Sequence, residues 1–245
     1  MIKDNQTLFL NRIRAALGNG NDQQDAWQDL LAPTDNTAFQ GIPNRGREEQ
    51  LLLLRQLMDN AGPLHLTVHV CASCDEAANC IAAISRDSKP EFGSTKEIVI
   101  HDHPLLQALP LEPLLAKDSI VIHTTSSNNP EVRRHTTNAY IGVTSAAWAI
   151  AESATIVQLT RPGQPRSTSL VPSIHIAVLE LANMVATLAE AYALISQEPD
   201  LDSLVLISGP SKTADIEGSM VQGAHGPRAM HLIVLISEPV ADFRA

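Results

Sequence analysis

A chain of 245 residues with 44% hydrophobic and 18% charged side chains can bury a sizeable core without disulfide staples. Its net charge of −10 opposes contact with nucleic acid or an anionic membrane surface, and no run reaches the ~18 apolar residues of a membrane span. The polar opening Met1-Ile-Lys-Asp-Asn-Gln6 is unlike a secretory signal, so a cytoplasmic protein is expected.

Residues 6–17 place Phe9, Ile13 and Ala16 on one helical face, closed by Gly18-Asn19-Gly20. The polar stretch 18–46 reads as an irregular connector, and its Trp27, Leu30, Leu31 and Phe39 are suited to packing across a subunit boundary in a homo-oligomer. A second helix over 47–60 carries Leu51, Leu54, Leu57 and Met58 and stops at Gly62-Pro63. Residues 1–62 are thus expected to form a helical N-terminal extension with its linker, 63–236 an α/β domain, and 237–245 a solvated tail.

From Leu64 short apolar runs alternate with helical patterns, the signature of a mostly parallel sheet flanked by helices. Leu64–Val70 alternates as a half-exposed strand near a sheet edge. Ser73-Cys74-Asp75-Glu76 has the form of a capping box, so Cys74 opens a helix. Cys74 and Cys80 then point about 240° apart at 100° per residue, and three cysteines are too few for the four thiolates of an iron–sulfur cluster. The cysteines read as structural. Strand 98–100 leads into His101-Asp102-His103, where His103 caps a helix starting at Pro104 rather than binding metal. No metal site is expected. Strand 119–123 runs into a hydroxyl-rich loop before Pro130, followed by a helix with Arg133 and Arg134 that reads either as an anion site or as ordinary cap chemistry.

Between Ala139 and Thr160 the only charged residue is Glu152. A carboxylate in such apolar sequence is either a site residue with a raised pKa, suited to acid, base or nucleophilic work, or a structural group satisfied by a nearby backbone turn. Strands 154–159 and 174–179, joined by Arg161-Pro-Gly-Gln-Pro-Arg-Ser-Thr-Ser169, suggest an antiparallel pair, with Arg166 and His175 flanking the loop. A helix capped by Asn183 follows, with Met184, Leu188, Ala191, Tyr192 and Ile195 on its core face. Strand 204–208 ends at Gly209-Pro210; Ser211 or Thr213 then caps a helix with Asp215 and Glu217 in its first turn, ended by Gly223. The His225-to-Arg228 turn feeds strand 231–236. Ser208, Lys212, Asp215, Glu217 and His225 are thereby placed at strand and helix ends, where open α/β sheets bind ligands.

Ile207-Ser-Gly-Pro-Ser-Lys-Thr-Ala-Asp-Ile-Glu217, with Gly223-Ala-His-Gly-Pro227 and His231, resembles the signature of the lactate utilization (LUD) domain family, protein C type. Gly142-Val-Thr144, Ala149-Ile-Ala-Glu-Ser-Ala-Thr155 and Arg166-Ser-Thr-Ser-Leu-Val-Pro-Ser-Ile-His175 resemble its other blocks. The usual form Glu-Thr-Gly-Thr is here Glu152-Ser153-Ala154-Thr155, and the usual arginine after Ser-Gly-Pro-Ser is Lys212, a point charge instead of a bidentate fork. The resemblance implies a NagB/RpiA/CoA-transferase-like fold and a non-redox component of an L-lactate utilization system. Such a component acts with iron–sulfur partner proteins, carries no cofactor of its own and binds a small carboxylate. Expected catalytic groups are Glu152 and His225; expected substrate-binding groups are Thr155, Arg166, His175, Ser208, Gly209, Ser211, Lys212, Thr213, Asp215 and Glu217. The same fold analogy leaves open a stand-alone sugar-phosphate isomerase or CoA-transferase-like enzyme using Glu152, or a pure assembly subunit. No dinucleotide-binding glycine motif, P-loop or nucleophile elbow is present.

Overall fold

Buried apolar runs alternating with amphipathic helices dictate a sheet with crossover helices, and the computed structural model of the chain has that architecture. It describes residues 9, 11–13, 15, 45–91, 95–199, 201–214 and 220–237. The chain divides into two compact units, Met1–Gln40 and Gly41–Ala245. In the first, residues 9, 11–13 and 15 are helical, within the helix expected over 6–17, and Phe9 and Ile13 are exposed. The connector up to residue 44 and the tail after 237 lie outside the described residues.

The second unit opens with α1 (Arg47–Leu64), whose Leu53, Leu54, Leu57 and Ala61 are buried. It continues through Pro63 and ends where His65 adopts φ 60° and donates its N–H to the Gly62 carbonyl. Each buried leucine contributes roughly 1.5–3 kcal/mol, so α1 is anchored to the α/β body although it starts within the stretch read as an extension. β1 (Leu66–Cys71), β2 (Glu97–Ile100), β3 (Val121–Thr124), β4 (Ile141–Ser145), β7 (Ile174–Glu180) and β12 (Ala229–Leu235) form an all-parallel sheet in the order β1-β12-β7-β4-β2-β3. The half-exposed β1 does lie at a sheet edge.

Strand alternation divides the core into two layers. Ile98, Ile141, Val143, Ile174, Ile176 and Ile233 face one side, covered by α2 (Cys74–Asp87), α3 (Pro104–Gln107) and α4 (Leu111–Leu115). The expected capping box starts α2: Ser73 Oγ accepts from Glu76 N, and Glu76 Oε2 accepts from Ala72 N. Ala177, Leu179, Met230, Leu232 and Val234 face the other side, against α1 and a second sheet. That sheet comprises β5 (Trp148–Ile150), β6 (Thr155–Thr160), β8 (Met184–Val185) and β9 (Ser203–Ile207) in the order β8-β5-β6-β9. α5 (Val132–Asn138) packs on β2 and β3.

Three expectations are corrected here. Strands 155–160 and 174–180 are not an antiparallel pair, because they belong to different sheets, and the connection between them includes α6 (Ser167–Leu170). Asn183 closes a 3-10 turn; Met184 is in β8, and the following helix α7 (Leu188–Ile195) is capped by Thr187, with Leu188 and Tyr192 exposed rather than in the core. The helix expected after Ser211 is replaced by an antiparallel ribbon of β10 (Lys212–Ala214) and β11 (Met220–Gln222), since ladder pairing satisfies the backbone that a helix would have used.

Candidate functional site

Pairing of β6 with β9 brings two of the sequence blocks together. Ile156 lies opposite Ile207, which sets Thr155 beside Ser208 just beyond the strand end. Their hydroxyls are 2.7 Å apart, and Ser153 Oγ donates to Thr155 Oγ1 at 2.8 Å. Ala154, in the middle of this turn, is fully buried with φ 44°. Gly209 has φ 90°, and a Cβ there would stand 2.4 Å from the Leu64 carbonyl oxygen at the end of α1, so both conformation and space require glycine. Ser211 clamps the second turn: its N–H donates to Pro227 O at 2.8 Å, its carbonyl accepts from Gly223 N at 2.9 Å, and its Oγ accepts from His225 N at 3.4 Å. Lys212 is exposed and Thr213 half-buried on β10, whereas Asp215 and Glu217 lie outside the described residues.

The other expected site groups do not join this cluster. Glu152 is exposed, not buried, and its Oε1 accepts from Leu188 N at 2.7 Å at the start of α7. The carboxylate thus sits on a helix N-terminus, and the Ala151 and Glu152 carbonyls accept from Asn60 Nδ2. That is the structural alternative raised for it. Arg166 and His225 are exposed. His175 is fully buried on the β7 face turned toward the second sheet, 2.8 Å from Thr144 Oγ1. Burial pushes its pKa down to about 3, with His101 and His231 adding to the effect, so it is neutral at pH 7. Among the described residues no hydrogen bond links Glu152, Arg166, His175 and His225 with one another.

Around His175 runs a buried polar seam that the sequence did not reveal. His101 Nε2 lies 3.2 Å from the Pro165 carbonyl, and the backbone oxygen of Thr168 approaches Gly142 so closely that a Cβ there would be 1.8 Å away. His101 Nδ1, His175 Nδ1 and Thr168 Oγ1 have no protein partner, and in the second sheet neither amide atom of Gln158 has one. Burial lowers the His101 pKa to about 4.

A second site sits where parallel sheets ordinarily take ligands, outside the carboxyl ends of the strands. Beyond β4 and β7 a cleft of about 450 Å³ is lined by His103, Ser145, Trp148, Arg161, Gln164 and Asn183 together with Leu159 and Glu198. The turn carrying Arg161 is fixed: Arg161 bridges to Gln164, and Gly163 O accepts from Asp102 N and Thr125 Oγ1. Arg161 pairs with Glu198. His103 Nδ1 accepts from Leu105 N at 3.2 Å, as its capping role predicted, so the neutral ring carries its proton on Nε2 as a donor. Burial lowers its pKa and favours that neutral form. The Arg161-Pro-Gly-Gln turn after a strand and the His103 cap are the local sequence signals of this cleft, although the expected anion-binding arginine is Arg166 and not Arg161.

The two sites lie at opposite ends of β6, with Thr155 roughly 13 Å from Leu159 at 3.3 Å per residue. No helix among the described residues is long and apolar enough to cross a membrane.

Comparison with known proteins agrees with this architecture. A protein of the DUF162 family from Deinococcus radiodurans has a crystal structure that superposes with a TM-score of 0.50 at 23% identity, covering 76% of this chain and 98% of that one. Lactate utilization protein C of Halalkalibacterium halodurans is 30% identical over 242 residues, 96% of this chain and 99% of that protein. The protein of the same name from an Exiguobacterium species is 40% identical over 115 residues, 44% of this chain and 50% of its own length. The family model described as LUD domain matches residues 54–235, from the middle of α1 to the last residue of β12, and the chain belongs to the LUD domain family.

Proposed function

We propose that this chain serves lactate utilization as a non-redox subunit that binds a small carboxylate in the cleft at the carboxyl ends of β4 and β7. The observation that carries the reading is the convergence there of Arg161, the His103 Nε2–H donor, Ser145, Gln164 and Asn183 on one cleft. A guanidinium fork holds a carboxylate through two parallel hydrogen bonds, and amide, hydroxyl and imidazole donors orient the remaining oxygens. Glu198 competes for Arg161 in the free protein, so binding exchanges one carboxylate partner for another. The names of the relatives supply the substrate class. Oxidising a 2-hydroxy acid to a 2-keto acid removes two electrons and two protons, and in this reading the electrons pass to iron–sulfur partner proteins while this chain holds the substrate.

The Ser208–Gly209 and Glu152–Thr155 turns then act by fixing the β6·β9 pair that carries Arg161. Titration calorimetry of the full chain with L-lactate and pyruvate, with and without the partners, tests the assignment. Arg161→Ala is expected to weaken binding roughly 10- to 100-fold, the loss of one charge-assisted contact, and Lys212→Ala to leave it unchanged. The reverse pattern would move the site to the Ser208 turn, and no binding under any condition would remove the small-molecule role.

A further inference from the structure

We propose that Glu97, His123 and His135 form a binding site for one divalent transition-metal ion of the borderline class, zinc above all, at the β3 edge of the parallel sheet. The three residues are far apart in sequence, and the fold assembles them. β2 and β3 pair with Glu97 opposite Val121, so His123, two positions on, lies on the same face as Glu97. α5 packs over that face and supplies His135. One ligand atom from each residue lies within 4.8 Å of the other two. His123 Nε2 is 3.2 Å from Glu97 Oε2, and the two imidazoles stack with centroids 3.7 Å apart and planes inclined by 20°.

Ligands about 2.0–2.2 Å from a tetrahedral ion stand roughly 3.3 Å from one another. The ligand atoms are therefore within about 1.5 Å of coordinating separation, and binding requires one imidazole to turn out of the stack so that the two ring lone pairs converge on one point. His135 Nδ1 is shut off from solvent without a hydrogen-bond partner, an unsatisfied buried nitrogen that a charged or liganded arrangement would relieve. Arg134, next to His135 on α5, is paired with Glu131 at 2.5 Å.

Two imidazoles and one carboxylate suit zinc and its neighbours rather than calcium or magnesium, which prefer all-oxygen shells. All three residues are half-buried, leaving a fourth position open to water. An ion here would tie α5 to edge strand β3. By mass action, metal at 100 times its dissociation constant would raise the ratio of folded to unfolded chain about 100-fold.

The experiment uses the full chain stripped with chelator and titrated with Zn²⁺ and, for spectroscopy, Co²⁺. One ion per chain is expected, with a cobalt spectrum of nitrogen and oxygen ligation and no thiolate charge-transfer band. His135→Gln and Glu97→Gln, which keep size and polarity, are each expected to weaken binding at least about 100-fold while circular dichroism stays unchanged. Absence of one-to-one binding at micromolar metal would overturn the proposal. So would binding that both variants leave intact, or a thiolate band showing that Cys71 and Cys80, which neighbour each other at the opposite, β1 edge of the sheet, hold the ion instead.

Discussion

Ala154 occupies a backbone conformation that ordinarily selects glycine, and replacing it with glycine separates two opposing effects. With φ 44° the residue is in the left-handed region, where a Cβ costs about 1–2 kcal/mol. Ala154→Gly would recover that strain. Glycine also has more conformational freedom in the unfolded chain, which costs about 0.5–1 kcal/mol on folding. Ala154 is fully buried against the second layer of the core, and removing its methyl group forfeits about 0.8 kcal/mol more. The gains and losses nearly cancel, so the variant is expected within about 1 kcal/mol of the parent. That balance accounts for an alanine at a position whose φ favours glycine. Urea unfolding followed by circular dichroism measures it. A midpoint shift equivalent to more than about 2 kcal/mol in either direction would show that the turn is not strained as described or that the methyl packs against far more than one group.

Gly209→Ala has no such balance. Its φ of 90° and the 2.4 Å approach to the Leu64 carbonyl both oppose a side chain, so a loss of about 2–4 kcal/mol is expected in the same unfolding assay, and an unchanged midpoint would contradict the packing. Stability should also fall with acidity. His175, His101 and His231 have pKa values of about 3, 4 and 4 in the folded chain against 6.5 when unfolded, mainly through burial. Since folding depresses them, their contribution is complete above pH 6.5 and is lost as pH falls toward 4, by up to about 1.4 kcal/mol per pH unit for each histidine. Unfolding midpoints that are flat between pH 7 and 4.5 would refute the burial. The Arg161→Ala and Lys212→Ala pair and the metal titration test the cleft and the edge site.

Much of the fold was legible because its signals are local. The apolar runs read at 98–100, 119–123 and 231–236, which form strands 97–100, 121–124 and 229–235, the Ser73 capping box and the His103 cap each depend on residues within one turn or one strand. What failed to read through was non-local. Nothing in 155–160 distinguishes a strand that pairs with 174–180 from one that pairs with 203–207, because both partners are equally apolar. Ser211 to Glu217 imitates a capped helix start, yet Lys212–Ala214 pairs antiparallel with Met220–Gln222. Glu152 was conspicuous for its apolar neighbours in sequence, but in space it lies outside them at the head of α7. The metal triad was invisible for the same reason: His123 and Glu97 are 26 positions apart and meet only when β2 and β3 pair.

The arrangement of β6 and β9 reconciles a signature block with a cleft it does not touch. Thr155 and Ser208 lock one end of the strand pair; Thr160 and Ser203, hydrogen-bonded at 2.9 Å, lock the other. Arg161 follows Thr160 directly, so the cationic partner of the cleft ion pair is mounted on this two-stranded frame, while Glu198 reaches it from the turn that ends α7. A change at Ser208 therefore reaches Arg161 only through strand register. Conservative replacement of Ser208 by threonine, which preserves a hydroxyl for Thr155, should leave carboxylate affinity intact, whereas Ser208→Val should weaken it without removing any group from the cleft. A signature residue that bound ligand directly would respond to both substitutions, because each alters its shape.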